Sequence, residues 1–133
     1  MSPFRFVQWI SEGRTVTVYG DRQQWRDFTY MDDIAQGTLA ALRPVGYEVI
    51  NLGSDESIVL NDVIRLVERL VEREAKIEKR ERYPADIMAT WADISKAKRL
   101  LGWRPRMRFR DGVAKLVDWY RANRKWVSHV RTS

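Results

Sequence analysis

The sequence predicts a small α/β fold with a few short strands and several helices, on three observations. Residues 15–19, Thr-Val-Thr-Val-Tyr, alternate polar and apolar positions as a half-buried strand does, and Gly20-Asp21 breaks the run with ordinary turn chemistry. Residues 48–52 make a second short apolar strand, stopped by Gly53-Ser54. Around these strands lie helical patterns. The clearest is at 61–71, where Val63, Ile64, Val67, Leu70 and Val71 follow the 3.6-residue period.

The remaining elements follow in order. Ser2-Pro3 ahead of Phe4, Phe6, Val7, Trp9 and Ile10 suits a first helix, with Ser as N-cap, Pro in the first turn and Gly13 as its stop. A polar loop follows the strand at 15–19. Asp32-Asp33 then opens a helix to about residue 42, capped by the acids. Ile34, Thr38, Ala41 and Leu42 would form one face, and Gly37 would let a neighbour approach. Residues 57–60 read as a brief extended segment and Asn61-Asp62 as the cap of the next helix. Residues 76–82 alternate Ile77 with charges, an exposed strand. A short helix at 95–101, capped by Ser95 or Asp93, ends at Gly102. The last helix starts near Arg110-Asp111 and carries Val113, Leu116, Val117 and Tyr120 as its stripe, and residues 128–133 are expected to fray.

At 133 residues the chain holds one domain's worth of core, and 44% hydrophobic residues with six Trp is a globular composition. No apolar run approaches the ~20 residues that span a bilayer, so no membrane partner is expected. The lack of Cys excludes disulfides, thiolate catalysis and thiolate metal sites, and fits a reducing compartment, the cytoplasm. His129, the single histidine, sits in a basic terminal tail, and Asp55-Glu56 reads as a turn, so no metal site is expected. The net charge of +6 raises nucleic acid as a partner. Most basic residues are interleaved with acids, as solvated helix faces are; Arg104, Arg106, Arg108 and Arg110 form the one single-sign cluster.

The most informative stretch is residues 18–34, Val-Tyr-Gly-Asp-Arg-Gln-Gln-Trp-Arg-Asp-Phe-Thr-Tyr-Met-Asp-Asp-Ile. A strand, a polar loop carrying Arg26 and a helix start can make an anion site. The residues alone allow the plainer reading too, a surface loop whose Arg is solvated or paired with Asp27 or Asp21. Asp32 and Asp33, about 100° apart on a helix, do not converge as an acid/base pair.

The wording of this stretch resembles the extended short-chain dehydrogenase/reductases, more narrowly the NAD-dependent nucleotide-sugar epimerases and dehydratases of the UDP-glucuronate or UDP-glucose 4-epimerase sort. The resemblance returns at residues 49–53 (Val-Ile-Asn-Leu-Gly), 84–86 (Pro-Ala-Asp), 91–97 (Trp-Ala-Asp-Ile-Ser-Lys-Ala) and 100–105 (Leu-Leu-Gly-Trp-Arg-Pro), in family order. It implies that the chain is a C-terminal part, a single incomplete domain over 1–133. Residues 1–31 and 54–133 would belong to the substrate-binding portion, and 32–53 would supply a helix and strand to a Rossmann-type sheet otherwise absent here.

The resemblance also assigns roles. Arg26 would grip the diphosphate of a UDP-sugar, a planar fork matching phosphate oxygens. Thr17 and Tyr19 would meet the base, Tyr19 with its ring, although a core aromatic is an open alternative. Asp86 would accept from the ribose hydroxyls, and Tyr83 stands where relatives carry an Arg or Gln near the phosphates, with Arg82 beside it. Arg22 replaces the usual Gly of the turn, which would tolerate positive φ. The family's NAD needs a Gly-rich turn at a helix N-terminus, and its chemistry needs a Tyr four residues before a Lys. Neither is present, so no catalytic residue is expected and NAD belongs to the intact enzyme. Two other classes stay open: a non-catalytic binding or partner module that docks, or self-associates, through the orphaned helix and strand, and a nucleic-acid binder centred on Arg104 to Arg110.

Overall fold

The computed structural model describes residues 2–82 and 87–132. In chain order the elements are α1 (Pro3–Ser11), β1 (Thr15–Tyr19), β2 (Trp25–Asp27), α2 (Met31–Ala40), β3 (Ser57–Val59), α3 (Leu60–Val71), β4 (Lys76–Arg80), α4 (Ser95–Leu101) and α5 (Phe109–Val127). They fall into two units. One comprises Met1–Gln24, Val59–Met88 and Val113–Ser133, the other Trp25–Ile58 and Ala89–Gly112.

The first unit is built on β1 and β4, paired in parallel from Thr15 opposite Lys76 to Tyr19 opposite Arg80. Parallel neighbours need a long crossover, and α3 lies in it. Val16 and Val18 point inward, 0% and 2% exposed, while Thr15 and Tyr19 point out. Phe6, Val7 and Ile10 of α1, Val63, Ile64 and Val67 of α3, and Val113, Val117 and Tyr120 of α5 complete the core. Each such side chain adds roughly 1.5–3 kcal/mol when taken out of water. Phe4 packs edge-on against Tyr120, and Trp119 against Trp126. The cap expected at Asn61-Asp62 lies elsewhere: the helix starts one residue earlier, with Val59 as N-cap and no side-chain cap bond. Main-chain carbonyls do that work instead, since the N–H groups of Leu60 and Asn61 donate to the carbonyls of Gln24 and Arg22.

The C-terminal tail, expected to fray, is fastened. Gln8 is fully buried; its Nε2 donates to the carbonyls of Val127 (3.2 Å) and Val130 (2.7 Å), and its Oε1 accepts from the Thr132 hydroxyl (2.5 Å). Arg14 adds a bond to the Ser128 carbonyl.

The second unit centres on Ile94, Ala97, Leu101 and Trp103, with Ala40, Val45, Ile50, Leu52 and Leu100 packed against them. β2 and β3 form a short sheet here, and Trp25 bridges to Ala89 in parallel. β2 was expected to be loop; three residues are too few to carry an alternation. α2 presents a different face from the expected one. Asp33 and Gly37 are buried, whereas Thr38, Ala41 and Leu42 are exposed. A Cβ on Gly37 would lie 2.8 Å from Leu52 Cδ1 and 3.0 Å from Trp103 Cε2, so the close approach foreseen for this glycine is present.

Asp33 does not cap its helix. Its carboxylate accepts the N–H groups of Arg106 (3.0 Å) and Met107 (2.9 Å), and its carbonyl accepts the Trp103 indole N–H (3.0 Å). The short helix, expected to be capped by Ser95 or Asp93, has Ile94 as its N-cap with no side-chain cap bond; Asp93, one residue before, accepts the Ser95 N–H (2.9 Å) and its hydroxyl. Residues 48–52 make no strand ladder. A ladder needs a neighbouring strand, and no backbone hydrogen bond joins residues 44–53 to another described residue. Ile50 and Leu52 turn toward the core while Tyr47 (96%) and Val49 (69%) stand exposed, which keeps the alternation of a strand without its pairing.

Candidate functional site

Because β1 and β4 run parallel, both strands end at one edge of the first unit, and several of the residues singled out by the sequence gather there. Thr17 and Tyr19 share the outer face of β1. The Thr17 hydroxyl donates to Glu78 Oε2 (3.4 Å), and the Tyr19 ring is 47% exposed, so it is not a core aromatic. The turn that follows is closed locally. Asp21 Oδ1 accepts the Gln23 N–H, Gln24 Nε2 donates to the Tyr19 carbonyl (2.8 Å), and the Gly20 N–H donates to the Arg80 carbonyl (2.9 Å). Gly20 has φ +72°, and a Cβ there would lie 3.4 Å from Arg82 Cβ, so Arg82 belongs to the same turn. Arg22 keeps the left-handed backbone that glycine would adopt freely, at φ +66°. Tyr83 and Asp86 lie outside the described residues.

In the second unit Arg26 is the middle residue of β2, half-buried, with Nη1 donating to the Trp25 carbonyl (2.7 Å). The next residue, Asp27, fixes this strand. Its Oδ1 accepts the Ser54 N–H (2.8 Å) and hydroxyl (2.6 Å), and its Oδ2 the Ala92 N–H (3.1 Å). Gly53 is required beside it: a Cβ would stand 2.4 Å from Ala92 Cβ and 2.8 Å from Asp27 Oδ2. Thus the Arg-Asp-Phe, Leu-Gly-Ser and Trp-Ala-Asp blocks are one knot, with Asp27 as a positioning residue. Sequence reasoning missed this, because Ser54 and Ala92, the partners of Asp27, lie 27 and 65 residues away along the chain. Phe28 stacks on Phe109 at 5.1 Å.

The four arginines of the basic cluster also fall in order. Arg104, Arg106, Arg108 and Arg110 are exposed, alternating with buried Trp103 and Phe109 and half-buried Met107. Asp33 holds the backbone of this segment through the bonds given above. A hollow of about 460 Å³ beside it is lined by Arg104, Arg106, Arg108 and Lys98, but also by Asp55 and Glu56. Lys98 pairs with Asp55 at 2.6 Å.

One ionised cluster lies elsewhere in the first unit. Arg124 donates to both oxygens of Glu12 (3.0 Å each), and the buried Tyr120 hydroxyl donates to Glu12 Oε1 (2.9 Å). The Arg124 hydrogen bonds hold the Glu12 carboxyl below its ordinary value against the opposing effect of burial. Burial, then the bond to Glu12, pushes the Tyr120 phenol up to about 12. All its groups are partnered within the chain, which marks a structural clasp. His129 is exposed beside the Ser128 hydroxyl. Among the described residues no cluster of His, Cys, Asp or Glu could hold a metal ion, and no helix is long and apolar enough to cross a membrane. The left-handed glycines, Gly13, Gly20, Gly46 and Gly102, stand in four separate turns and build no phosphate-binding loop. Among the described residues no glycine-rich turn therefore offers a cradle for the pyrophosphate of NAD.

Residues 3–116 match the family described as GDP-mannose 4,6 dehydratase. A UDP-glucuronate 4-epimerase from Thermodesulfobacterium geofontis is 46% identical over 132 residues, covering 98% of this chain and 41% of that protein. Among solved structures, UDP-glucuronic acid 4-epimerase from Bacillus cereus, in complex with UDP-glucuronic acid and NAD, aligns with a TM-score of 0.85 at 35% identity, over 92% of this chain and 40% of its own. UDP-glucose 4-epimerase from Thermotoga maritima, with UDP-glucose, aligns with a TM-score of 0.84 at 25% identity, over 90% and 38%. The chain thus spans about two-fifths of the length of these relatives.

Proposed function

The chain belongs to the GDP-mannose 4,6 dehydratase family, and from that premise we propose that it supplies the nucleotide-sugar-binding portion of an NAD-dependent epimerase. In this reading Arg26 holds the diphosphate by charge-assisted hydrogen bonds. Tyr19 packs on the base beside the backbone at Thr17, Asp86 accepts from the ribose, and Tyr83 borders the phosphates. The whole protein would interconvert the C4 centre of a UDP-sugar. NAD would supply the hydride chemistry at that carbon in the whole protein. The residues described here bind and orient the substrate and move no proton.

The observation that carries this reading is the carboxyl edge of β1 and β4. Ligands of parallel α/β sheets bind beyond the carboxyl ends of strands, and there exposed Tyr19 is followed by the turn that carries Arg22 and packs against Arg82. Likeness to UDP-sugar-bound relatives supports the same choice of ligand. Titrating the 133-residue chain with UDP tests it. Weak but saturable binding is expected, reduced at least about tenfold in Arg26→Ala, the loss of one charged hydrogen-bond set. Unchanged binding in that variant would sink the assignment.

The exposed row of four arginines favours a second reading, a nucleic-acid surface. Acids line the same hollow, which weakens its field. A DNA duplex titrated at two salt concentrations decides: affinity falling steeply with salt would favour this reading.

A further inference from the structure

Arg22 stands in a position where a glycine would serve the backbone better. Its φ of +66° is unfavourable for any side chain with a Cβ. The reason for that backbone is plain, since it aims the Arg22 carbonyl at the Asn61 N–H in the first turn of α3. Glycine would do the same without strain. The side chain therefore has no part in why the turn has this shape.

One donor of the side chain is also left unmet by the protein around it. Arg22 Nε is buried with no hydrogen-bond partner among the described residues, and so is Oε1 of Gln24, itself 1% exposed, in the same turn. A desolvated guanidinium nitrogen without an acceptor is costly. Backbone strain and a buried orphan donor both argue against arginine at this position in the ligand-free chain. The donor is satisfied by an anion delivered to the turn. Strained residues of this kind mark sites where function, not stability, sets the residue.

We propose that Arg22 is a ligand-binding guanidinium, which takes a phosphate oxygen of the nucleoside diphosphate. This rests on the UDP-binding reading above and adds a residue to it. Arg82, whose Cβ meets the same turn, extends the basic character of the edge. The turn then reads the charge of the diphosphate, while Tyr19 on the strand before it meets the base.

The test is UDP titration of the 133-residue chain followed by two-dimensional NMR, with thermal melting of each variant. Arg22→Gly and Arg22→Asn both suit the left-handed backbone. Each is expected to weaken UDP binding about tenfold while melting at or above the wild-type temperature. Wild-type UDP affinity in both, with Arg26→Ala still defective, would overturn the role of Arg22 and leave the diphosphate site standing. So would an affinity loss accompanied by a lowered melting temperature in both variants, because that marks a structural residue. If Arg26→Ala binds UDP like the wild type, or the wild-type chain does not bind UDP, the diphosphate reading falls and this role falls with it.

Discussion

Three residues show how the chain spends stability at chosen points. A left-handed conformation costs a residue with a Cβ roughly 1–2 kcal/mol, and glycine's larger unfolded-state freedom returns about half of that. Arg22→Gly is accordingly expected to stabilise by about 0.5–1 kcal/mol in chemical denaturation. Gly53→Ala should do the reverse, because its Cβ would displace Ala92 and the Asp27 carboxylate. A loss of about 2–3 kcal/mol, measured by urea unfolding, is expected from overpacking with broken hydrogen bonds. Glu12 carries a pH dependence. Its folded pKa is lowered, chiefly by the Arg124 hydrogen bonds, so its contribution is complete above the ordinary value of 4.5 and is lost as pH falls through the lowered one. Glu12→Gln should cost about 1 kcal/mol near pH 7, and the gap to wild type should close in melts at increasingly acid pH.

At the scale of elements, the backbone of residues 44–53 is the exception to a well-bonded chain. N–H and C=O groups with no backbone partner among the described residues, beside exposed Tyr47, Val49, Leu42 and Leu39, form a template for another strand. Sedimentation of the 133-residue chain is expected to reveal concentration-dependent association, and Val49→Lys is expected to suppress it; a monomer at all concentrations in the wild type would count against this. The elements that were legible were those whose signal is local. β1 announced itself by alternation, α3 by its period, and Gly102 ended α4 at φ +63° as its position implied. The misses depend on distant partners. Asp33 reads as a helix-capping acid until residues 106 and 107 are brought to it. Gln8 reads as a surface amide until the other end of the chain closes over it. Of the candidate residues, Arg26, Thr17 and Tyr19 were named from wording, yet the role of Asp27 in fixing β2 and the left-handed φ adopted at Arg22 required coordinates.

For the molecule as a whole, the chain belongs to its family with an α/β fold, and it spans about two-fifths of the length of the epimerases it matches. The whole protein, supplied with NAD, is expected to interconvert a UDP-hexose or UDP-uronate at C4 in an NMR assay. No turnover of any such donor would refute the proposed reaction while leaving nucleotide binding to be judged separately. The 133 residues alone are expected to turn over nothing, since the proton-moving Tyr and Lys are not among them.

The clasp made by Gln8 bears on how this protein can be cut and fused. One glutamine on the first helix gathers the main chain of Val127 and Val130 and the hydroxyl of Thr132, so opposite ends of the polypeptide are sewn into a single seam. A version shortened after Val127 would leave the buried amide only its bond to Val127, and its damage should surface as earlier proton exchange in α1, at the far end of the sequence from the deletion.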